Sequence, residues 1–352
     1  MICIHPVPGS WSDRWINYCA QRRVPFVTLD VFAPDTLSRV REAGAHAVLF
    51  DLPLFDGKTS AARGLVQSLE LMGIAVFPGA AEYWHYDDKV AQYHLFKALE
   101  IPCCPTFIFY SAQEANQWAQ SSNYPKVWKL RTGAASSNVR LVRSKAEARG
   151  LIQRAFGRGF SPVQPLLGDF QTKLFKHKRQ RDWLAVLRRL PQSIRNLARY
   201  RCAAPRERGY VFFQDFLPDN PHDTRVTVIG QRAFAYRRFV RPNDFRASGS
   251  GRIDWDPRAV DLECVRRALE AAAKIGSRCL AFDFVYGPGR QPVILEVCYR
   301  FVAEFVQTCP GFWDRELTFH SRQLWPQDAI IEDILSGVAS DAPGSLDFAA
   351  SI

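Results

Sequence analysis

The sequence holds only two methionines in 352 residues, and no apolar run approaches the roughly 18–20 residues that span a bilayer. A transmembrane segment is therefore not expected. Nine cysteines are present, an odd number without zinc-like pair spacing, and Cys103 and Cys104 are adjacent. A disulfide framework or a zinc ribbon does not fit, and a reducing cytoplasm is the simplest home. The first residues, Met1 to Pro6, lack a basic stretch followed by an apolar one, so no secretory signal is expected. The chain also lacks the Gly-x-x-x-x-Gly-Lys-Ser/Thr phosphate loop and the Gly-x-Gly-x-x-Gly dinucleotide fingerprint. No internal repeat is visible.

With 47% hydrophobic and 23% charged residues, the composition is that of a globular protein of roughly two domains. The formal net charge is +11, from 46 Lys+Arg against 35 Asp+Glu. It is unevenly spread. Lys173 to Arg208 carries twelve Lys/Arg and two acids, a net of +10, leaving the remainder near +1.

The first 80 residues alternate short apolar runs (24–29, 47–52, 74–77) with polar helical stretches (36–43, 61–72), the pattern of a small parallel α/β unit. A helix is expected from Asp87 to about Leu99, capped by Asp87 or Asp88 and stopped by Ile101-Pro102. Strands are expected at 107–110, 127–130, 139–142, 210–216, 224–229, 233–239, 281–286 and 293–299, and a helix at 257–275. The tail after Ser340 is small and polar, and fraying is expected there.

Three features point to chemistry. A last hairpin with its turn centred between Gly289 and Arg290 sets Asp283 opposite Glu296, with Cys298 on the same face. Like charges across a ladder repel. Either a hard divalent cation compensates them or an arginine pairs with one acid, unless the register is off by one. Lys129-Leu-Arg-Thr-Gly133 runs into a small-residue loop, where a lysine and backbone N–H groups can approach phosphate oxygens; a plain surface loop has the same composition. Asp223-Thr-Arg225, Arg237-Arg238, Arg241 and Asp244-Phe-Arg246-Ala-Ser248 collect arginines suited to phosphate or carboxylate, unless they are only surface residues.

Taken in order, these stretches resemble the ATP-grasp superfamily, especially its RimK-like and glutathione-synthetase-like carboxylate–amine ligases. The matching stretches are Asp88-Lys89 with Ile101-Pro102 and Pro105-Thr106, Lys129 with Gly133–Ser137, Phe213–Leu217, Asp223–Gly230, Asp244–Ser248, Asp283–Val285, and Leu295–Phe301. They cover about residues 85–301. The resemblance implies an α/β chain, α+β in its C-terminal part: an ATP-grasp fold preceded by a Rossmann-like domain. The implied divisions are an N-terminal α/β domain over 1–84, a small lobe with a phosphate lid over 85–142, a basic helical insertion over 143–209, a large lobe over 210–340 and a tail over 341–352.

It also implies roles. ATP would be held by Lys89, Lys129, Gly133, Ser136 and Ser137, and by the inter-lobe segment Gln214, Asp215, Phe216 and Leu217, with Asp219 or Asn220 near the ribose. Arg225 and Arg237 or Arg238 would hold the transferring phosphoryl group, and Arg246 and Ser248 would serve the acceptor. Mg2+ would be bound by Asp283 and Glu296. Two positions depart from the pattern. Cys298 stands where a metal-binding Asn is usual, and sulfur is a poor partner for hard magnesium. Ser248 stands where Asn is frequent.

The implied activity is ATP-dependent ligation of a carboxylate to an amine through an acyl-phosphate. A kinase with a hydroxyl acceptor and a non-catalytic ATP-binding protein are the alternatives. The substrates would be small or polymeric, one of them polyanionic if the basic segment faces it; a solvated basic face is the plainer account. Nucleic acid is not the expected partner, because basic residues alone provide no reading motif. A homodimer is compatible with the resemblance.

Overall fold

A computed structural model describes residues 1–51, 58–133, 138–161, 206–242 and 244–337. Lid positions Ser136 and Ser137, most of the basic segment and the C-terminal tail lie outside the described residues.

The first unit is a parallel sheet, β1 (Ile2–Ile4), β2 (Phe26–Thr28), β3 (Ala47–Leu49) and β4 (Ala75–Phe77), in the order β2-β1-β3-β4. Its helices cross over between strands, as parallel pairing requires. Helix Trp11–Arg22 starts at Ser10, whose side chain accepts the Ser12 N–H. Strand β1 and this helix went unread in the sequence because Ile-Cys-Ile is too short for its periodicity to register.

The second unit is an antiparallel sheet of β5 (Thr106–Phe109), β6 (Lys126–Lys129), β7 (Val139–Val142) and β8 (Val211–Asp215), ordered β5-β8-β6-β7. Helices Ala112–Ser121 and Lys145–Phe156 cover it, each begun by a serine that caps a glutamate N–H three residues on. Trp128, Val142, Ala148, Ile152, Val211 and Phe213 belong to its separate core.

The expected boundaries at 143 and 210 therefore cut through this lobe. Helix Lys145–Phe156 carries basic residues outside and Ala148, Leu151, Ile152 and Ala155 inside, so its charge made it resemble the insertion. Strand β8 belongs to this lobe and not to the large one, because it pairs with β5 and β6, which chain continuity does not reveal.

The third unit is a seven-stranded antiparallel sheet. It comprises β9 (His222–Ile229), β10 (Arg232–Phe239), β11 (Ile253–Asp254), β12 (Cys279–Tyr286), β13 (Pro292–Cys298), β14 (Phe312–Trp313) and β15 (Phe319–His320). Helix Leu262–Ile275 buries Cys264, Val265, Ala268, Ala271 and Ala272, and Gly276 ends it in a left-handed conformation. Small residues on that face let helix and sheet approach closely. The parallel sheet and this large sheet share one continuous core. Two cores thus flank a cleft.

Candidate active site

The cleft has a volume of about 820 Å³, within the roughly 300–1,000 Å³ range of small-molecule sites. Lys89, Lys129, Gly133, Gln214, Asp215, Phe216, Leu217, Asp219, Arg238, Arg246, Ser248, Asp283 and Glu296 all line it. Arg225 and Cys298 do not, although both sit on the sheet that floors it.

Strand register explains the charged floor. Across the large sheet, Tyr236 faces Arg225, Arg225 faces Asp283, and Asp283 faces Glu296; one row away, Arg238 faces Asp223. Because strand side chains alternate, these residues share one face. The other face carries Val226, Val228, Leu280, Phe282 and Phe284 into the core. A bulge between Asp283 and Phe284 shifts the hairpin register by one. Leu295 and Glu296 thereby both reach the cleft.

The floor is tightly paired. Arg225 donates through Nε and Nη2 to Asp283 at 2.6 and 2.7 Å. Arg238 donates to Asp223 at 2.7 and 2.6 Å and to Asp283 Oδ2 at 2.8 Å. Burial alone would raise the Asp283 carboxyl, but the two guanidiniums hold it well below the usual carboxylate range. Arginines thus answer the repulsion posed by Asp283 and Glu296 in this structure.

Glu296 is more open, with 38% of its side chain exposed and Lys89 Nζ at 3.8 Å. Lys89 also donates to the Gly133 carbonyl at 3.0 Å, while the Gly133 N–H donates to Asp87 at 3.0 Å. Gly133 has φ +129°, and a Cβ there would clash with the Asn138 amide, so the position requires glycine. Lys129 is buried and donates to Gln214 Oε1 at 2.6 Å. Burial pushes its ammonium below the usual range, against the pull of Glu296.

Glu207, near the end of the basic segment, was not singled out from sequence. Its carboxylate accepts the Arg131 N–H and the Thr132 and Tyr210 hydroxyls, and its backbone pairs with Phe160. The root of the Gly133 loop is therefore tied to the stem of the insertion. Only long-range pairing reveals this.

The segment between lobes leaves β8 at Asp215, which is bound to Lys126 at 2.5 Å. Among the described residues the Leu217 N–H has no hydrogen-bond partner, whereas the Leu217 carbonyl accepts from Asn220 at 3.2 Å. Asn220 also bonds both the N–H and the carbonyl of Tyr286, so its amide is committed to the turn. Asp219 sits beside it with φ 60°. Elsewhere on the cleft wall, Arg246 is held by Asp244 through contacts of 2.6–3.1 Å, and the Ser248 carbonyl accepts from Arg241.

Asp283 and Glu296 are the hard oxygen donors that would hold a magnesium ion, Glu296 open to the cleft and Asp283 shared with its two guanidiniums. Cys298 does not suit it. Burial raises its thiol to about 12, so it stays protonated, and it donates to the Arg300 carbonyl at 2.7 Å. Among the described residues no three His, Cys, Asp or Glu side chains form a metal-holding group. No helix there is long and apolar enough to cross a membrane.

No known family model and no curated protein matches the sequence. Solved structures do match in shape. The RimK domain protein ATP-grasp from Sphaerobacter thermophilus is 16% identical with a TM-score of 0.53, over 95% of this chain and 98% of that one. The ATP-grasp ligase PsnB, complexed with minimal precursor, Mg and ADP, is 13% identical with a TM-score of 0.55, over 96% and 98%. D-cycloserine synthetase DcsG is 15% identical with a TM-score of 0.53, over 95% and 99%. At these identities the likeness is one of architecture: the chain has the ATP-grasp fold.

Proposed function

We propose that this ATP-grasp chain is an ATP-dependent carboxylate–amine ligase. The observation that carries the proposal is the charged row Arg238–Asp223 and Arg225–Asp283–Glu296, buried except at Glu296, on the floor of a cleft that Lys129 also lines. The fold and the ligase neighbours support it. One neighbour is complexed with Mg and ADP.

In this proposal ATP lies between the lobes. Val127, Val139, Leu141 and Leu295 give its base an apolar slot, and the Leu217 N–H, without a partner among the described residues, reads its edge. Lys129 and Lys89 neutralise phosphate oxygens beside Gly133; Ser136 and Ser137, outside the described residues, are assigned to the phosphates by the resemblance alone. Asp283 and Glu296 would hold Mg2+, which would supply charge neutralisation on the phosphates. Arg238, which lines the cleft, stabilises charge on the transferring group, and Arg225, which does not line it, acts through Asp283. The γ-phosphoryl passes to a carboxylate oxygen and ADP leaves. An amine then attacks the acyl carbon, phosphate departs with the bonding pair, and the nitrogen gives up a proton. Arg246 and Ser248 orient the acceptor. Excluding water matters because water would hydrolyse the acyl-phosphate.

The test is calorimetry with Mg-ATP followed by phosphate-release assays over panels of acids and amines, with hydroxylamine as a trap. A ligase forms hydroxamate with its acid and releases phosphate only when acid and nucleophile are both present. A phosphorylated hydroxyl product without phosphate release would make it a kinase. ATP binding without turnover across the panels would make it a nucleotide-binding protein.

A further inference from the structure

Away from the cleft, the small lobe gathers arginines past the end of helix Lys145–Phe156. Trp128 packs on Phe160 with 4.5 Å between ring centroids. Strand alternation turns Trp128 away from the cleft that its neighbours Val127 and Lys129 line, so Phe160 lies on the outer face of the sheet. Arg154 sits over the Phe160 ring at 4.5 Å, and its Nε donates to the Gly159 carbonyl at 3.3 Å. Arg206 donates to the same oxygen through Nη2 at 2.9 Å and to the Arg158 carbonyl through Nε at 2.6 Å. Gly159 has φ +68°, and a Cβ there would clash with the Glu207 carbonyl, so close packing of two chain segments fixes this shared acceptor.

Two guanidiniums that share one oxygen sit within two hydrogen-bond lengths of each other. Arg158, whose carbonyl Arg206 holds, adds a third. All three residues are exposed, and none has an acidic partner among the described residues. Glu207, the acid next to Arg206, turns its buried carboxylate to Arg131, Thr132 and Tyr210 instead. The carbonyls that receive Arg154 and Arg206 are neutral and offset no charge. A helix end favours one cation nearby, which does not account for three. Slight burial and then the charges of Arg158 and Arg206 lower the Arg154 guanidinium below its ordinary range. The scaffold holds the cluster together against its own repulsion, and its charge is unspent.

We infer that Arg154, Arg158 and Arg206 form a binding site for a phosphate group, separate from the nucleotide cleft. Each has N–H groups to give. Among the described residues Arg154 uses only Nε, Arg206 leaves Nη1, and the Arg158 side chain makes no hydrogen bond. A carboxylate offers one charge and two oxygens. A phosphate group offers close to two charges and three strong acceptor oxygens at neutral pH, which matches three guanidiniums better. Arginine forks suit it in geometry, and clusters of them are a recurring means of holding it. Inorganic phosphate and a phosphorylated peptide segment both present this group to an exposed site.

The test is calorimetry on the full chain in saturating Mg-AMPPNP, which keeps the cleft filled. Inorganic phosphate, acetate, a phosphoserine peptide and the same peptide with serine are titrated at constant ionic strength. Phosphate should bind about tenfold or more tightly than acetate, and the phosphoserine peptide should exceed its serine form by a similar factor. Arg154→Gln/Arg206→Gln should weaken both phosphate ligands by about tenfold or more, the order of one lost charge-assisted hydrogen bond. Arg206→Lys, which keeps the charge and loses the fork, should fall between. Arg158→Gln removes a side chain that holds nothing in the fold, so it keeps the test open if the double variant fails to fold; it should weaken both phosphate ligands as well. A phosphopeptide that binds more tightly than inorganic phosphate assigns the site to a phosphorylated chain, and the reverse order assigns it to the free ion; either upholds it. Phosphate that binds no better than acetate, or an affinity unchanged in Arg158→Gln or in the folded double variant, would overturn the site.

Discussion

Replacing Asp283 with asparagine puts the charged row under direct strain. The carboxylate is 4% exposed and accepts three guanidinium hydrogen bonds of 2.6–2.8 Å. Asparagine keeps the volume and removes the charge. The cluster of two aspartates and two arginines then goes from neutral to +1, and Arg225 loses its only acidic partner among the described residues. Breaking a buried ion pair by removing one partner costs about 3–5 kcal/mol. At 1.36 kcal/mol per factor of ten, the unfolding equilibrium shifts by roughly 10²–10⁴. Arg225→Gln should cost a similar amount. The double variant leaves Asp223–Arg238 as a neutral pair, so its cost should fall short of the sum by about 2 kcal/mol or more. Urea unfolding of the four proteins, followed by circular dichroism, measures this. The pH dependence has a definite sign. Asp283 titrates below its unfolded value of about 3.9, so its contribution is complete above that pH and lost as pH falls through the depressed value. The gap between wild type and Asp283→Asn should therefore close in acid. Single costs below about 1 kcal/mol, or additivity within about 0.5 kcal/mol, would refute the picture of a coupled buried cluster.

Lys129→Met should weaken Mg-ATP binding at least tenfold in calorimetry, the order expected for one charge-assisted contact of about 1.5–3 kcal/mol, with little effect on folding. In the wild type, the affinity supplied by Lys129 should decline with rising pH earlier than for an ordinary lysine, because burial lowers its titration. Cys298→Asn places a hard oxygen beside Asp283 and Glu296, and should tighten magnesium binding in a direct titration; unchanged affinity would mean that this position never faces the ion. Excising 173–205 while retaining Glu207 should leave ATP affinity intact. The same excision carried through Arg208 should weaken it, because Glu207 holds Arg131 and Thr132 at the loop root. Equal losses from both excisions would show that this grip does not matter.

Much of the site was legible because its residues lie on regular strands. Alternation along Asp223-x-Arg225 and the pairing of Asp283 with Glu296 follow from period two. Even so, the hairpin pairing arises differently from the simple count. The turn is centred on Gly289, and a bulge at Leu295 adds the residue that a turn between Gly289 and Arg290 would otherwise supply. Lys129 and Gly133 were also legible in sequence, and both line the cleft. The lobe boundaries were not, since β8 lies next to the basic segment in sequence but between β5 and β6 in space.

By itself the sequence determined the alternating α/β start, the strands of the large sheet, the charged residue types and the order of motifs that resembles ATP-grasp ligases. These depend on local periodicity and on chemistry carried by single side chains. Tertiary structure decided how the charges are spent. It gave Asp283 to two arginines, set Lys129 on Gln214, tied the Gly133 loop to Glu207, and aimed Arg300 at Asp51 across 249 positions of chain. Those pairings depend on which strands meet and which side chains lose water together, and neither is written in any short stretch of sequence.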